Sequence, residues 1–250
     1  MARAFDGIDD EATNSTAFST LITASAGTFC IWYRPVGTPT TESNIWKNDG
    51  LVADGTSQYV GLHRANISGG GDRIYAYNWD SNEDRIGALL TVGTWNHWTW
   101  LHTGGNLSLF KDGVSQGSIA SGDTGNLLGT LRLGKSSGLS NWLEGDLAEL
   151  AIWNVALSPL EIAALPYISP LGIRESALQI YTPLWGIHSP EIDLTRNNRS
   201  LTLVGTLVTR HAPVVPFSQR YWAASTEPEA AAGGDAVPQV WAQYRRRRAA

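Results

Sequence analysis

LEGDLAELAIWNVALSPLEIAAL, residues 143–165, holds a strand, a connecting loop and a capped helix within one short stretch. Its apolar residues fall at Leu147, Leu150 and Ile152, which breaks the alternation of a plain strand. One extra residue restores that alternation, so the spacing predicts a β-bulge near Ala148–Glu149. The bulge would bring Glu144, Asp146 and Glu149 onto one face of the strand. A helix follows over 158–165. Ser158 is its cap, Pro159 suits the first helical position, Glu161 closes a capping box and Pro166 stops it.

Upstream, the chain reads as short strands divided by turn chemistry. GTFCIWYRP (27–35) alternates Phe29, Ile31 and Tyr33 with Cys30, Trp32 and Arg34, the period of a half-buried strand. SQYVGLHR, RIYAYNW and IGALLTV follow the same pattern, and LRLGK adds another strand. In NLSLFKDGVSQGS (106–118) the Asp112–Gly113 pair supplies positive φ between two strands, a strong hairpin signal. Downstream of the helix, SALQIYTPLWGI and RSLTLVGTLV read as further strands. The fold expected is all-β: a two-sheet antiparallel jelly-roll sandwich over 1–211, with one short helix and an extended C-terminal arm over 212–250. That arm is rich in Ala, Gly, Glu and Pro, the composition of a linker.

Composition narrows the function classes. One cysteine allows no intrachain disulfide, and Cys30 reads as a small core residue. A formal net charge of −5 argues against general nucleic-acid binding by the body. No apolar run is long enough to span a bilayer. MARAFDGIDD lacks the apolar core of a signal peptide, so synthesis in the cytoplasm is expected. The five histidines show no ligand spacing, and SGGGDR lacks the Lys-Ser/Thr and helix of a phosphate loop.

Three segments together resemble the laminin-G-like branch of the concanavalin A-like lectin/glucanase superfamily. AFDGIDD (4–10) is similar to its opening strand, and GTWNHWTWLHTGGNLSLFKDGV (93–114) to its central strand and hairpin. LEGDLAELAIWNVALSPLEIAAL is similar to its closing strand and helix. A fourth segment, 176–206, resembles one that ordinarily precedes the opening strand, so its order here is permuted. Two readings stay open: it completes its own sandwich, the favoured one, or it supplies a strand to a neighbouring copy. Chains with this tail order resemble those encoded by tailed phages and prophages.

Glu144, Asp146 and Glu149 also have the Glu-x-Asp-x-x-Glu spacing of a family of retaining glucanases. Those enzymes use two carboxyl groups about 5–5.5 Å apart as nucleophile and acid/base. Gly145 weakens the strand, however, and the motif runs directly into the closing element rather than standing mid-domain. The expectation is a protein that is not an enzyme. By resemblance, calcium is a weak alternative to having no cofactor, with Asp9, Asp10 and Asp146 as candidate ligands. Against it, Ala148 stands where the family pattern Gly-x-Ile-Asp-Glu has its aspartate.

Trp98, Trp100 and His102 share one strand face, and the two indoles read as core. Trp46 and Trp79 lie next to loops, and with Asn78, Asp80 and Asn82 they form the candidate glycan site. At the other end, Trp241, Tyr244, Arg245, Arg246, Arg247 and Arg248 are candidates for anchoring to a partner. The leading expectation is a structural protein of a tailed-phage virion, a capsid decoration or other particle-surface accessory protein. Its partners would be major capsid or tail proteins in a symmetric or homo-oligomeric assembly, with nucleic acid reached only through the arginine run. The alternative is a module binding host-surface glycan, and the third reading is a glycoside hydrolase using Glu144 and Glu149.

Overall fold

The computed structural model describes residues 1–37, 41–42, 49–54, 60–67, 70–79, 83–122, 124, 129–135, 142–186 and 189–210, with backbone alone at 41–42, 49, 53–54 and 79. In chain order the first strands are β1 (Ala2–Asp6), β2 (Glu11–Ala17), β3 (Ala26–Pro35), β4 (Thr41–Glu42), β5 (Asp49–Asp54) and β6 (Val60–Ile67). Then come β7 (Arg73–Trp79), β8 (Glu83–Leu89), β9 (Asn96–Thr103), β10 (Asn106–Lys111), β11 (Val114–Ala120) and β12 (Thr130–Leu133). β13 (Glu144–Trp153), β14 (Leu178–Thr182), β15 (Thr202–Val204) and β16 (Leu207–Thr209) complete the set.

Two antiparallel sheets form a sandwich. The first runs β11-β10-β9-β3-β13-β1-β16, with β14 also paired to β13, and the second runs β15-β2-β12-β5-β6-β7-β8. Side chains of alternate residues interdigitate between them. Phe29, Ile31 and Tyr33 meet Trp98, Trp100, Leu107, Leu109, Leu147 and Ile152 from the first sheet, and Val52, Leu62, Ile74 and Leu131 from the second. Phe29 and Trp100 stack with centroids 4.6 Å apart, a geometry that adds to their area burial. His102 lies on the same inward face of β9, fully buried, with Nε2 at 2.7 Å from the Gly122 carbonyl.

The bulge in β13 is present. Register against β3 shifts between Ala148 and Ala151, and Glu149 adopts φ 58°. The bulge also marks a change of partner. Before it, Glu144–Leu147 pair with β1; after it, Leu150–Trp153 pair with β14, and the Glu149 amide donates to the Pro183 carbonyl. Gly145, read from the sequence as a weakness, is required by its position. At φ 150° an added Cβ would lie 2.6 Å from the Arg34 carbonyl oxygen and 2.6 Å from the Tyr33 ring.

A second cluster, including Cys30, Leu101, Phe110, Trp153, Ile162, Leu165 and Tyr181, covers the outer face of the first sheet. Its lid is the expected helix, Pro159–Ala164, with both arms of the capping box between Ser158 and Glu161 formed. A further one-turn helix, Phe18–Leu21, had no capping signal in the sequence and forms instead because Phe18 and Leu21 bury fully in the core. The permuted segment, 176–206, pairs within this chain, β14 with β13 and β15 with β2, and just beyond it β16 pairs with β1. Among the described residues no helix is long and apolar enough to cross a membrane.

Candidate functional site

Residues 74, 76, 86 and 88 of β7 and β8 pack into the core, so period-2 alternation turns Arg73, Tyr75 and Tyr77 outward on β7 and Arg85, Gly87 and Leu89 outward on β8. In register, His63 stands opposite Tyr75, which stands opposite Gly87, and Gly61 stands opposite Tyr77, which stands opposite Arg85. The two glycines act as seats for neighbouring rings. An added Cβ on Gly87 would meet Tyr75 Cε1 at 2.4 Å and Cδ1 at 2.6 Å; one on Gly61 would meet His63 Nε2 at 2.5 Å. Tyr75 therefore lies down over bare backbone. Its ring is partly exposed, whereas His63 and Tyr77 are buried and meet edge to face at 5.6 Å.

Cations frame Tyr75. The Arg85 guanidinium carbon sits 6.0 Å from the ring centroid, and Arg85 Nη1 pairs with Glu83 Oε1. Arg73 donates from Nε to the Gly70 carbonyl at 3.2 Å and from Nη1 to the Gly87 carbonyl at 3.4 Å. The second of these bonds brings its guanidinium alongside the backbone that seats Tyr75.

The sequence-derived glycan set divides differently. Trp79 stands opposite Glu83 in register. Asn78 follows the outward-facing Tyr77 and so faces the other way. It is fully buried between the sheets and donates from Nδ2 to Ser121 Oγ at 2.7 Å. This corrects its assignment as a surface partner: consecutive residues of a strand cannot share a face. Trp46, Asp80 and Asn82 lie outside the described residues, as do Trp241, Tyr244, Arg245, Arg246, Arg247 and Arg248. Tyr75, Gly87, Arg73 and Arg85 were missed, although the alternation in RIYAYNW carried the signal for the first.

The candidate calcium set also separates. Asp9 and Asp10 gather with Asp6, their carboxylate oxygens within 4.8 Å of one another. Asp146 is elsewhere, buried on β13 and held by Arg34 Nε at 2.6 Å. Two of the three clustered carboxylates already serve the turn: Asp10 Oδ2 accepts from the Asp6 amide and Asp6 Oδ1 from the Ile8 amide, each at 2.8 Å. Desolvation, then the charges of Asp6 and Asp9, raise the Asp10 pKa. With one clustered oxygen from each carboxylate, a calcium ion here would have to draw its remaining ligands from second carboxylate oxygens, backbone carbonyls or water.

Of the glucanase-like carboxylates, Asp146 is tied to Arg34 and Glu149 accepts from the Tyr181 hydroxyl. Glu144 offers its backbone carbonyl to Tyr33 Oη and Arg64 Nη1. Burial is the main factor raising the Asp146 pKa, and Arg34 lowers it.

Two facing antiparallel sheets, one outer face sealed by a helix and the other bearing a seated aromatic, define a lectin-like jelly roll. The chain belongs to the concanavalin A-like lectin/glucanases superfamily, whose laminin-G family model matches residues 6–163. Among solved structures, a Bacteroides ovatus protein assigned a carbohydrate-binding role shares 15% identity over 86% of this chain with a TM-score of 0.62, which shows the common fold. The chain spans 61% of that protein. A heptameric pentraxin of Limulus polyphemus aligns at TM-score 0.49 and 15% identity, covering 66% of this chain and 80% of its own. Domains LG4-5 of the mouse laminin alpha1 chain align at TM-score 0.45 and 12% identity, covering 60% and 40%. A search of the curated proteins returns no match.

Proposed function

We propose that this chain is a carbohydrate-binding module, without bond-breaking chemistry, whose sugar rests on the outer face of β7 and β8. The observation that carries the reading is Tyr75 laid over Gly87. A ring seated on backbone is held flat, its other face partly exposed beneath the Arg85 guanidinium at 6.0 Å, and aromatic faces pack against the apolar faces of pyranose rings. The absence of bond breaking is supported by the engagement of Asp146 with Arg34 and of Glu149 with Tyr181. A glycan array probed with the full chain is expected to give a bound class that Tyr75→Ala abolishes, with bound oligosaccharide recovered intact. No bound class, or binding that Tyr75→Ala leaves unchanged, overturns the assignment to this face; released sugar that Glu149→Gln prevents would make the protein an enzyme.

A second reading concerns where the module is carried. The body is acidic, yet Arg245–Arg248 form a cationic run after an Ala-, Gly- and Pro-rich stretch. This contrast supports a particle-surface role, in which residues 212–250 fasten the sandwich to capsid or tail proteins of a tailed phage. Deleting residues 212–250 is expected to abolish co-sedimentation with particles while leaving the thermal unfolding midpoint of the sandwich within about 3 °C. Retained co-sedimentation would defeat the anchoring role.

A further inference from the structure

We infer that the sugar taken by this face is an acidic pyranose, a hexuronate unit of a polysaccharide, with its ring on Tyr75 and its carboxylate between Arg85 and Arg73. The inference rests on the glycan-binding reading above and adds the ligand's charge.

Electrostatics carry it. The protein has a formal net charge of −5, but among the described residues the charged groups recorded at Tyr75 and its Gly87 seat are the Arg85 and Arg73 guanidinium groups, with Glu83 paired to the first. Arg73 is tethered by two carbonyl oxygens, Gly70 and Gly87. Among the described residues no carboxylate reaches it, so its charge is oriented but unneutralised. Arg85 is paired with Glu83, yet the side chains of both remain substantially open to water, at 36% and 29%. An exposed pair of this kind contributes little to stability, so Arg85 is free to exchange Glu83 for a ligand carboxylate.

Geometry agrees with the charge. At 6.0 Å from the ring centroid, Arg85 stands at the outer limit of a cation–π contact, where a small outward swing opens the face. A uronate carries its carboxylate on the carbon next to the ring oxygen, beside the apolar patch that stacks. One ligand therefore meets the aromatic face and the guanidinium fork together. A neutral pyranose would leave Arg73 without a counter-charge.

The test is titration calorimetry on the full chain with tetragalacturonic acid and with its fully methyl-esterified form, the same sugar and linkage without the charge. Tetragalacturonic acid is expected to bind at least about tenfold more tightly, and to weaken as NaCl rises from about 0.05 to about 0.5 M. Arg73→Gln and Tyr75→Ala should each cost about tenfold or more. Gly87→Ala should do the same with an unchanged unfolding midpoint, because the new methyl group tips the ring off its seat. Equal binding of both oligosaccharides, lost in Tyr75→Ala, overturns the acidic ligand and leaves the glycan-binding reading standing. Uronate binding that survives Tyr75→Ala and Gly87→Ala overturns the site. A sulfated polysaccharide bound where tetragalacturonic acid is not overturns the hexuronate assignment.

Discussion

Lowering the pH from about 7 to about 5 is expected to remove about 4 kcal/mol of stability, through two imidazoles that fold neutral. His63 and His97 are buried, and among the described residues both ring nitrogens of His63 and Nδ1 of His97 have no hydrogen-bond partner. Their surroundings are aromatic: Tyr77 beside His63, Trp32 beside His97. Burial lowers their pKa values, to about 4 for His63 and about 3 for His97. In the unfolded chain both titrate near 6.5. The folded state therefore binds fewer protons, and the stability these residues contribute is complete above about pH 6.5 and falls as pH drops. Each costs about 1.4 kcal/mol per pH unit, or about 2 kcal/mol by pH 5. The decline levels off near the folded-state values. Asp10 and Asp146, whose pKa values are raised by burial, act in the opposite direction at lower pH. Urea unfolding between pH 7 and 5, compared with a His63→Phe/His97→Phe double variant, isolates the imidazoles. If the variant loses stability with the same slope, the assignment is wrong.

Arg64→Met should destabilise the sandwich by about 3–5 kcal/mol, the cost of removing one partner from a buried charged network. Arg64 lies on the inward face of β6 and is 1% exposed. Its Nη1 donates to the carbonyls of Val36 at 2.9 Å and Glu144 at 3.1 Å and to Tyr33 Oη at 3.2 Å; its Nη2 donates to the Gly37 carbonyl and Asp72 Oδ2, both at 2.7 Å. One guanidinium thus ties the second sheet to the end of β3 and the start of β13. Methionine fills the space but leaves these acceptors, including the Asp72 carboxylate, without their donor. Arg64→Lys should recover little, because a point charge on a flexible stem cannot span acceptors arranged for a planar fork. Denaturant midpoints converted with a common m-value check this, and a loss below about 1 kcal/mol would refute it.

Local chemistry written in neighbouring residues was readable in advance. The bulge followed from the spacing of Leu147, Leu150 and Ile152, the helix from Ser158, Pro159 and Glu161, and the hairpin from Asp112–Gly113. In each case the signal and the structure lie within a few residues of one another. What was not readable depended on distant partners. Asp146 looked like a metal ligand until Arg34, more than a hundred residues away, took it, and Gly145 looked like a defect until Tyr33 was seen against it. The candidate sugar face shows both cases. Alternation in RIYAYNW places Tyr75 and Tyr77 on one side and Asn78 on the other, which grouping by proximity obscured. That Tyr75 is seated depends on Gly87, whose place opposite it is set by strand register, and no local pattern announces that.

The placement of β1 bears on how the polypeptide acquires its shape. This strand lies between β13 and β16, and Arg3 reaches Glu191 across 188 residues of chain. Pairing of β1 on both its edges must therefore await β16, at the far end of the sandwich sequence. Closing so large a loop before any reward is gained makes assembly slow and leaves early β-rich segments exposed in the meantime. Translation rate and chaperone supply should consequently govern how much usable protein a cell obtains from this sequence.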